Sequence, residues 1–282
     1  MNEFDRLNLA IDEIDKIDDS TWQNTLTDRK KKELEFHDKD RDNNVVHETK
    51  ASDTYEKFYG NKKYYQITHR SKSYVRNWIR LEVKNKIFLD YACGNGGNAI
   101  LAAKYGALLS LGFDISGVSV KNATKLVNEE KINNVRFFQA DAENTKLPND
   151  SIDVIICSGM LHHLDLSYAL PELRRILKPG GKILAVEALD YNPAIKLYRT
   201  LTPAMRTDWE KAHILSLKDI KFAKRFFDIG VINYFHVIGY IGGKFPILMY
   251  PIDLIDRVLE KIPLVRLLSW MFTFELIKRS EK

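Results

Sequence analysis

The sequence has few cysteines, and the two that it has do not suggest a disulfide. Cys93 and Cys157 are the two cysteines among 282 residues. Both fall in apolar segments that we interpret as buried strand ends. This placement excludes a disulfide framework and offers no Cys/His spacing typical of a metal site. We therefore expect a reducing, cytoplasmic environment and no bound metal.

A strong excess of one charge is also missing. The chain carries 43 Lys and Arg against 38 Asp and Glu, a formal net charge of +5, and basic residues are interspersed with acidic ones. A nucleic-acid partner is therefore not expected. Residues 1–22 lack the basic start and apolar stretch of a secretory signal, so we expect no export. Polar residues and prolines interrupt the longest apolar stretch, 231–252, which predicts no transmembrane helix.

The N-terminal part, residues 1–70, is highly charged, above all between residues 28 and 42. We interpret it as a helical N-terminal extension, either a solvated appendage or a lid over a ligand, and periodicity does not separate these alternatives. Aromatic residues directly before the core would suit a lid. They are Tyr55, Phe58, Tyr59, Tyr64 and Tyr65.

From residue 86 onward, short apolar runs alternate with helix-length segments, as a parallel sheet with crossover helices requires. We interpret residues 71–190 as the core and residues 191–282 as a substrate cover followed by strands that complete the sheet. The predicted fold class is α/β: a doubly wound, mostly parallel seven-stranded sheet with helices on both faces, a helical N-terminal lid and a helical insertion before the last strand. The predicted strands are 87–92, 108–114, 135–140, 152–158, 182–188, 231–238 and 270–277. The predicted core helices are 97–104, 116–130 and 166–177, with a further helical segment near 217–227.

The insertion before the last strand contains an amphipathic helix over residues 252–262. Its apolar face consists of Ile252, Ile255, Leu259 and Ile262, and its polar residues lie elsewhere on the helix. Packing in the core is the favoured use of this face. Contact with a second copy in a homo-oligomer and peripheral docking on a membrane surface are the alternatives.

A glycine-rich turn is the sharpest functional signal. Residues 88–99, FLDYACGNGGNA, predict a strand, a tight turn and the start of a helix. The glycines alone also match a dinucleotide fingerprint, and Asp114 could bind a ribose in either case. Asp90 separates the two interpretations, because a carboxylate at this strand end would repel a pyrophosphate and attract an ammonium group. We therefore expect a zwitterionic ligand.

This segment closely resembles the first motif of class I, Rossmann-like S-adenosylmethionine-dependent methyltransferases, with Ala92 where the family usually has its first glycine. Later segments keep the resemblance in order over about residues 86–190. They read LGFDIS at 111–116, QADAE at 139–143, IICSGMLHHL at 155–164 and LRRILKPGGK at 173–182. The last is characteristic of ubiquinone-type and natural-product methyltransferases.

The resemblance implies S-adenosylmethionine as cofactor and S-adenosylhomocysteine as product. It implies that Asp114 accepts from the ribose hydroxyls, Asp141 from the adenine amino group, and that the Ala142 amide donates to the ring. Backbone at Ser158 would meet the methionine part. The expected cofactor-binding residues are Asp90, Ala92, Gly94, Gly96, Asp114, Ile115, Asp141, Ala142 and Ser158. Asp114 and Asp141 could also act as helix caps, and the two roles are compatible.

Three residues are candidates for the chemistry. A base is needed only where the methyl acceptor must lose a proton. His163 is the first choice, because a histidine at the matching position faces the substrate in related small-molecule methyltransferases. His162 is the alternative, since adjacent residues in an extended segment point in opposite directions. Glu187 could orient the histidine, contact the acceptor or cap local backbone.

Residues 191–209 form the expected substrate cover, with Tyr198, Arg199 and Arg206 as candidate contacts. Two arginines would suit an anionic or lipid-like acceptor, although nearby acids could equally pair with them. The sequence therefore predicts methyl transfer to an oxygen, nitrogen or carbon centre of a small molecule. The alternatives are an RNA or protein methyltransferase, a catalytically silent scaffold with the cofactor fold, and, more distantly, a nicotinamide enzyme.

Overall fold

A mixed β-sheet of seven strands carries the fold in the computed structural model, which describes residues 3–41, 68–202, 206–243 and 245–280. The strand order is β3-β2-β1-β4-β5-β7-β6, and β7 runs antiparallel to both of its neighbours. The strands are β1 (Ile87–Tyr91), β2 (Leu109–Asp114), β3 (Val135–Gln139), β4 (Ile152–Ser158), β5 (Leu177–Ala188), β6 (Asp228–Phe235) and β7 (Met271–Ile277).

Eleven α-helices surround this sheet in the described residues. They are α1 (Glu3–Asp15), α2 (Asp19–Thr25), α3 (Asp28–Arg41), α4 (His69–Glu82), α5 (Gly97–Lys104), α6 (Gly117–Glu130), α7 (Leu166–Ile176), α8 (Pro193–Leu201), α9 (Asp208–Ala212), α10 (Leu217–Ala223) and α11 (Met249–Leu259). The α/β fold class with helices on both faces is therefore confirmed.

The central strands are mostly apolar because both faces of the sheet are covered. All five residues of β1 and all six of β2 are buried, and the acidic residues of these two strands, Asp90 and Asp114, lie toward their carboxyl ends. Phe88 packs on the face covered by α4 and α5, whereas Leu89 and Tyr91 pack on the face covered by α1, α7 and α10. The alternation of side chains along a strand thus supplies both halves of the core.

Four predicted elements have boundaries that differ from the structure by more than one residue. The strand expected over 231–238 spans Asp228–Phe235, and the helix expected over 252–262 spans Met249–Leu259. The fifth strand was expected to begin at Lys182 but begins at Leu177, where Leu177 pairs with Ile152 ahead of a register shift. The Gly180 amide then donates to the carbonyl of Lys278 at 2.8 Å. The Pro-Gly-Gly stretch ends α7, as predicted, but backbone pairing continues through it. The helix expected over 217–227 ends at Ala223.

The amphipathic helix before the last strand, α11, presents a different face to the core than expected. Ile252 is buried, but Ile255 and Ile262 are 48% and 41% exposed. Asp256, expected away from the core, is fully buried and accepts a hydrogen bond from the backbone amide of Ile238 at 2.9 Å. The prediction that four apolar residues form the core face was therefore wrong. Asp256 faces the core instead, because its carboxylate accepts a hydrogen bond from a backbone amide of the preceding segment.

The N-terminal helices are attached to the core at separate places. On α1, Leu7 and Ile11 are fully buried in the main hydrophobic cluster, and Asp12 and Asp15 each lie 2.7 Å from the guanidinium of Arg136 on β3. Helix α3 lies against α6 and reaches over the carboxyl ends of the strands. The aromatic residues expected to form part of a lid, Tyr55 to Tyr65, lie outside the described residues.

Among the described helices, none combines the length and the apolar composition needed to cross a bilayer.

Candidate functional site

A cavity of about 320 Å³ lies at the carboxyl ends of β1 to β4. One side, which we call the floor, consists of the turns at residues 92–95, 114–115, 141–142, 158–160 and 163–164. The opposite side, which we call the roof, consists of Arg29, Lys30, Glu33 and His37 from α3. Ligands of open α/β sheets bind at this edge, so the position agrees with a ligand site.

The turn after β1 depends on residues that adopt positive φ. Ala92, Gly94 and Gly96 have φ of 53°, 53° and 77°. A Cβ on Gly96 would collide with the ring of Phe137, so packing as well as conformation favours glycine at this position. Ala92 and Gly94 line the cavity, whereas Gly96, expected to bind cofactor, packs beneath the turn.

Asp90 lies below the same turn and does not line the cavity. Its carboxylate accepts hydrogen bonds from the Ala99 amide at 3.2 Å and from Asn98 Nδ2 at 3.4 Å. Burial raises the pKa of Asp90 to about 7. The expected direct contact of Asp90 with a ligand ammonium stays a prediction. The carboxylate satisfies donors at the start of α5, which would otherwise have no partner.

Asp114 joins the first two turns of the floor. One carboxylate oxygen accepts from the Gly94 amide at 2.8 Å, and the other accepts from the Ser116 amide at 3.0 Å at the start of α6. Ser116 caps that helix by accepting from Ser119. Asp114 and Ile115 line the cavity, and a carboxylate has lone pairs left after two hydrogen bonds. The capping role and the expected ribose contact are therefore compatible.

The roof is tied to the floor by ion pairs at Asp141 and Glu143. Lys30 Nζ lies 2.6 Å from Asp141 and 2.9 Å from Glu143, and Arg29 also pairs with Glu143. The Asp141 side chain, expected to accept from an adenine amino group, thus has a protein cation as its partner in this structure. The neighbouring Ala142 lines the cavity, and its carbonyl accepts from the Tyr91 hydroxyl.

Glu187 holds the turn that follows β4. Its Oε1 accepts from the Met160 amide at 2.9 Å and the Leu161 amide at 2.8 Å, while its Oε2 lies 2.6 Å from His162 Nδ1. Burial alone would lower the pKa of His162, but the Glu187 carboxylate overcomes this effect and the pKa is raised. Neither residue lines the cavity, whereas Ser158 does. Glu187 therefore orients His162 and the turn.

His163 faces the cavity and takes its partner from the roof. Its Nδ1 lies 2.9 Å from Glu33 Oε2, and the other Glu33 oxygen accepts from the Thr207 hydroxyl at 2.5 Å. Burial opposes ionisation of Glu33, but these hydrogen bonds outweigh it and the pKa of Glu33 is lowered. An ionised carboxylate only accepts, so Nδ1 carries the proton and Nε2 is left as the basic nitrogen.

Two sets of donors in this region have the proximity of a metal site. Glu33, His37 and His163 form one set and His162, His163 and Glu210 the other, each with ligand atoms within 4.8 Å of one another. Hydrogen bonds already explain the position of Glu33 against His163 and Thr207. The expectation that no metal is bound stays a prediction.

The three expected substrate contacts lie outside the residues that line the cavity. Arg199 lies 3.7 Å from Asp190, and Arg206 lies 3.3 Å from Glu210 and donates to Thr202. The Arg206 guanidinium also lies 5.9 Å from the centre of the Tyr198 ring. The structure therefore shows both arginines paired with nearby acids, which is the alternative interpretation. Both side chains are largely buried.

The roof residues were not among the predicted site residues. The charged run at 28–42 was interpreted as a solvated helix or a lid, without particular residues. The signal that could have found them is spacing, since residues 29, 33 and 37 repeat every four positions on one helical face. Because the residues on that face are polar, a search for apolar helix faces does not detect it.

Comparison with known proteins identifies the central part of the chain. Residues 89–185 match the protein-family model described as "Methyltransferase domain". The chain is 35% identical over 100 residues to the uncharacterized methyltransferase YcgJ of Bacillus subtilis. This alignment covers 35% of this chain and 39% of the relative. It is 32% identical over 142 residues to the ubiquinone/menaquinone biosynthesis C-methyltransferase UbiE of Pectobacterium atrosepticum. That alignment covers 46% of this chain and 55% of the relative. The chain thus matches only about half or less of these relatives' length.

Among solved structures, phosphoethanolamine N-methyltransferase 2 of Haemonchus contortus in complex with S-adenosyl-L-methionine shares the fold, with a TM-score of 0.56 and 18% identity over 87% of this chain and 60% of that one. Together with the strand order and the cavity at the carboxyl ends of the strands, these matches confirm the resemblance seen in the motifs. Residues 89–185 therefore match a methyltransferase domain, and the fold around them is shared with a methyltransferase that binds S-adenosyl-L-methionine.

Proposed function

We propose that the protein transfers a methyl group from S-adenosylmethionine to a small-molecule acceptor, with His163 as general base where the acceptor must lose a proton. The observation that carries this proposal is the placement of His163 in the same cavity as the expected cofactor-binding turns. The basic Nε2 of this histidine is set by Glu33 on Nδ1. A bound S-adenosylmethionine supplies an activated methyl on a sulfonium whose leaving group is a neutral thioether.

The residues of the floor fit such a cofactor. Carboxylates at Asp114 and Asp141 provide acceptors for hydroxyl and amino groups, and Ala142 lines the same cavity. A Cβ on Gly159 would meet no atom within 4 Å, so there is open space beside Ser158 for a ligand to approach the backbone. Ala92, Gly94 and Ile115 complete the expected binding residues that line the cavity.

The protein has two tasks in this reaction, which are to position the acceptor and to receive its proton. His163 can receive the proton at Nε2, and Glu33 stabilises the imidazolium that results. Hydrogen bonds from the Met160 amide to Glu187 and between Glu187 and His162 hold the turn that carries His163. Because the roof lies across the cavity, it would limit the access of bulk water to the acceptor.

An anionic or lipid-like acceptor remains part of this proposal, with different residues in support. Arg199 and Arg206 pair with acids outside the cavity, whereas Arg29, Lys30 and His37 line it. The guanidinium of Arg29 also lies 4.6 Å from the centre of the Trp209 ring, which joins the roof to the segment expected to cover the substrate. The lid role of residues 1–70 follows from the same contacts and is likewise a proposal.

Titration calorimetry with S-adenosylhomocysteine tests the cofactor site. We expect micromolar or tighter binding by the wild type and a loss of about 100-fold in affinity for Asp114→Ala, because charge-assisted hydrogen bonds are each worth about 1.5–3 kcal/mol. Asp228→Ala, at an exposed carboxylate on the far edge of the sheet, should bind like the wild type. No heat from the wild type would favour the scaffold alternative, and heat from NAD or NADP would favour a nicotinamide enzyme.

The acceptor can be identified by incubating the protein with methyl-labelled S-adenosylmethionine and fractionated host extract. We expect label in a small-molecule fraction. Label that remains with RNA or protein after digestion controls would contradict the small-molecule proposal while leaving the cofactor site intact.

A further inference from the structure

The segment between β6 and β7 exposes an unusual amount of apolar surface. Of the 21 large apolar side chains that are exposed among the described residues, 11 fall between residues 241 and 268. Ile247 is 91% exposed, Leu264 78% and Tyr250 75%. Single exposed apolar residues are ordinary, but such a concentration marks an interaction surface.

Helix α11 gives this surface its regular part. Tyr250, Leu254 and Val258 repeat every four residues and therefore lie in one row, and they are 75%, 49% and 61% exposed. Ile252 and Asp256, on the opposite side, are buried. The helix thus turns its more apolar side to the outside, the reverse of the usual arrangement at a protein surface.

The acidic and basic residues of this segment lie on different sides of it. All three acids of α11 and its C-terminal end face the protein: Asp253 lies 2.6 Å from His69, Asp256 is buried, and Glu260 pairs with Arg70. The bases Arg257, Lys261 and Arg266 are exposed. The outward side therefore combines apolar side chains with positive charge, and the described acids of this segment do not neutralise it.

We propose that this face, residues 241–268 with α11 at its centre, docks on the surface of a bilayer that contains anionic lipid. Apolar side chains that enter the headgroup boundary and bases that meet anionic headgroups are the two features of an interfacial helix. At 11 residues α11 is far shorter than the roughly 20 residues that span a bilayer, so it lies in the interface. A second copy fits less well, because a two-fold interface would bring together two faces that both carry positive charge.

Co-sedimentation with vesicles tests this proposal without reference to catalysis. We expect the full-length protein to sediment with phosphatidylcholine vesicles that contain phosphatidylglycerol, to bind pure phosphatidylcholine weakly, and to be released by salt. The double variant Leu254→Glu/Val258→Glu should lower the partition coefficient about tenfold or more. Arg257→Glu/Lys261→Glu should abolish the preference for phosphatidylglycerol.

The matched control is Leu81→Glu/Leu108→Glu, which adds the same charges at two apolar residues that are 69% and 58% exposed outside this segment. It should bind vesicles nearly as the wild type does. Far-UV circular dichroism and calorimetric binding of S-adenosylhomocysteine report whether each variant is folded. A wild type that stays in the supernatant, or equal loss in the control, would overturn the proposal. So would a dimer in light scattering that Leu254→Glu/Val258→Glu dissociates.

Discussion

The floor of the cavity comes from turns that follow adjacent strands, whereas the roof comes from one helix near the N-terminus. The floor is held by hydrogen bonds among neighbouring turns, such as those that the Gly94 and Ser116 amides donate to the Asp114 carboxylate. The roof is held by long charged side chains, such as Lys30 on Asp141. The floor therefore follows from the geometry of the strand ends, whereas the roof depends on ion pairs between distant parts of the chain.

The largest expected effect concerns Glu33, the roof residue that contacts His163. Glu33→Gln removes the negative charge that favours the proton on Nδ1 and stabilises the imidazolium. With the acceptor found by labelling, we expect kcat to fall by about 10- to 100-fold and its pH dependence to shift, while affinity for S-adenosylhomocysteine stays within about twofold. Steady-state kinetics across pH and calorimetry provide the two readouts.

Glu35→Gln is the matched control for this variant, since Glu35 lies on the same helix and is exposed. It should leave kcat and its pH dependence unchanged. If Glu33→Gln weakened binding and left kcat intact, Glu33 would belong to the binding surface, and its proposed role in orienting His163 for catalysis would be wrong.

A second prediction concerns Asp90, which supports the floor from below. Its pKa is raised from 3.8 to about 7 in the folded protein by burial. A raised carboxyl pKa stabilises the folded state at low pH, and this contribution is lost as the pH rises through about 7. Asp90→Asn removes the titration. From about pH 4 to about pH 8 its free energy of unfolding should therefore rise by roughly 1–3 kcal/mol relative to the wild type.

Urea unfolding at several pH values measures this difference, with Asp228→Asn as an exposed control that should follow the wild type. A constant difference between Asp90→Asn and the wild type at all pH values would show that Asp90 is ionised in the fold throughout. The floor would then carry a permanent negative charge next to the ligand.

The smallest expected effect concerns Lys30, the roof residue on Asp141. Lys30→Met leaves Asp141 free to accept from a ligand, so affinity for S-adenosylhomocysteine should rise about threefold, as expected for loss of a competing ion pair worth up to about 1 kcal/mol. Lys32→Met, exposed on the same helix, should have no effect. Weaker binding by Lys30→Met would show that Lys30 itself holds the ligand and that the roof shares in binding.

The sequence was sufficient for the sheet and for most of the floor. Buried parallel strands are continuous apolar runs, and the turn after β1 needs glycine where φ is positive, as at Gly94. The roof was beyond this reasoning, because Glu33 meets His163 across 130 residues and Lys30 meets Asp141 across 111. The prediction of which side of α11 faces the core was wrong for a related reason. Its two sides, marked by Ile252 and Leu254, are both apolar, and the tertiary hydrogen bond to Asp256 distinguishes them.

The two adjacent histidines depend on different parts of the molecule. Glu187, which orients His162, belongs to the sheet, whereas Glu33, which orients His163, belongs to the helix that covers the cavity. In the proposed reaction, the same helix would both cover the cavity and orient the base. A cavity without this helix would hold a histidine that lacks its orienting carboxylate, so base-assisted transfer of the methyl group to water would be slow.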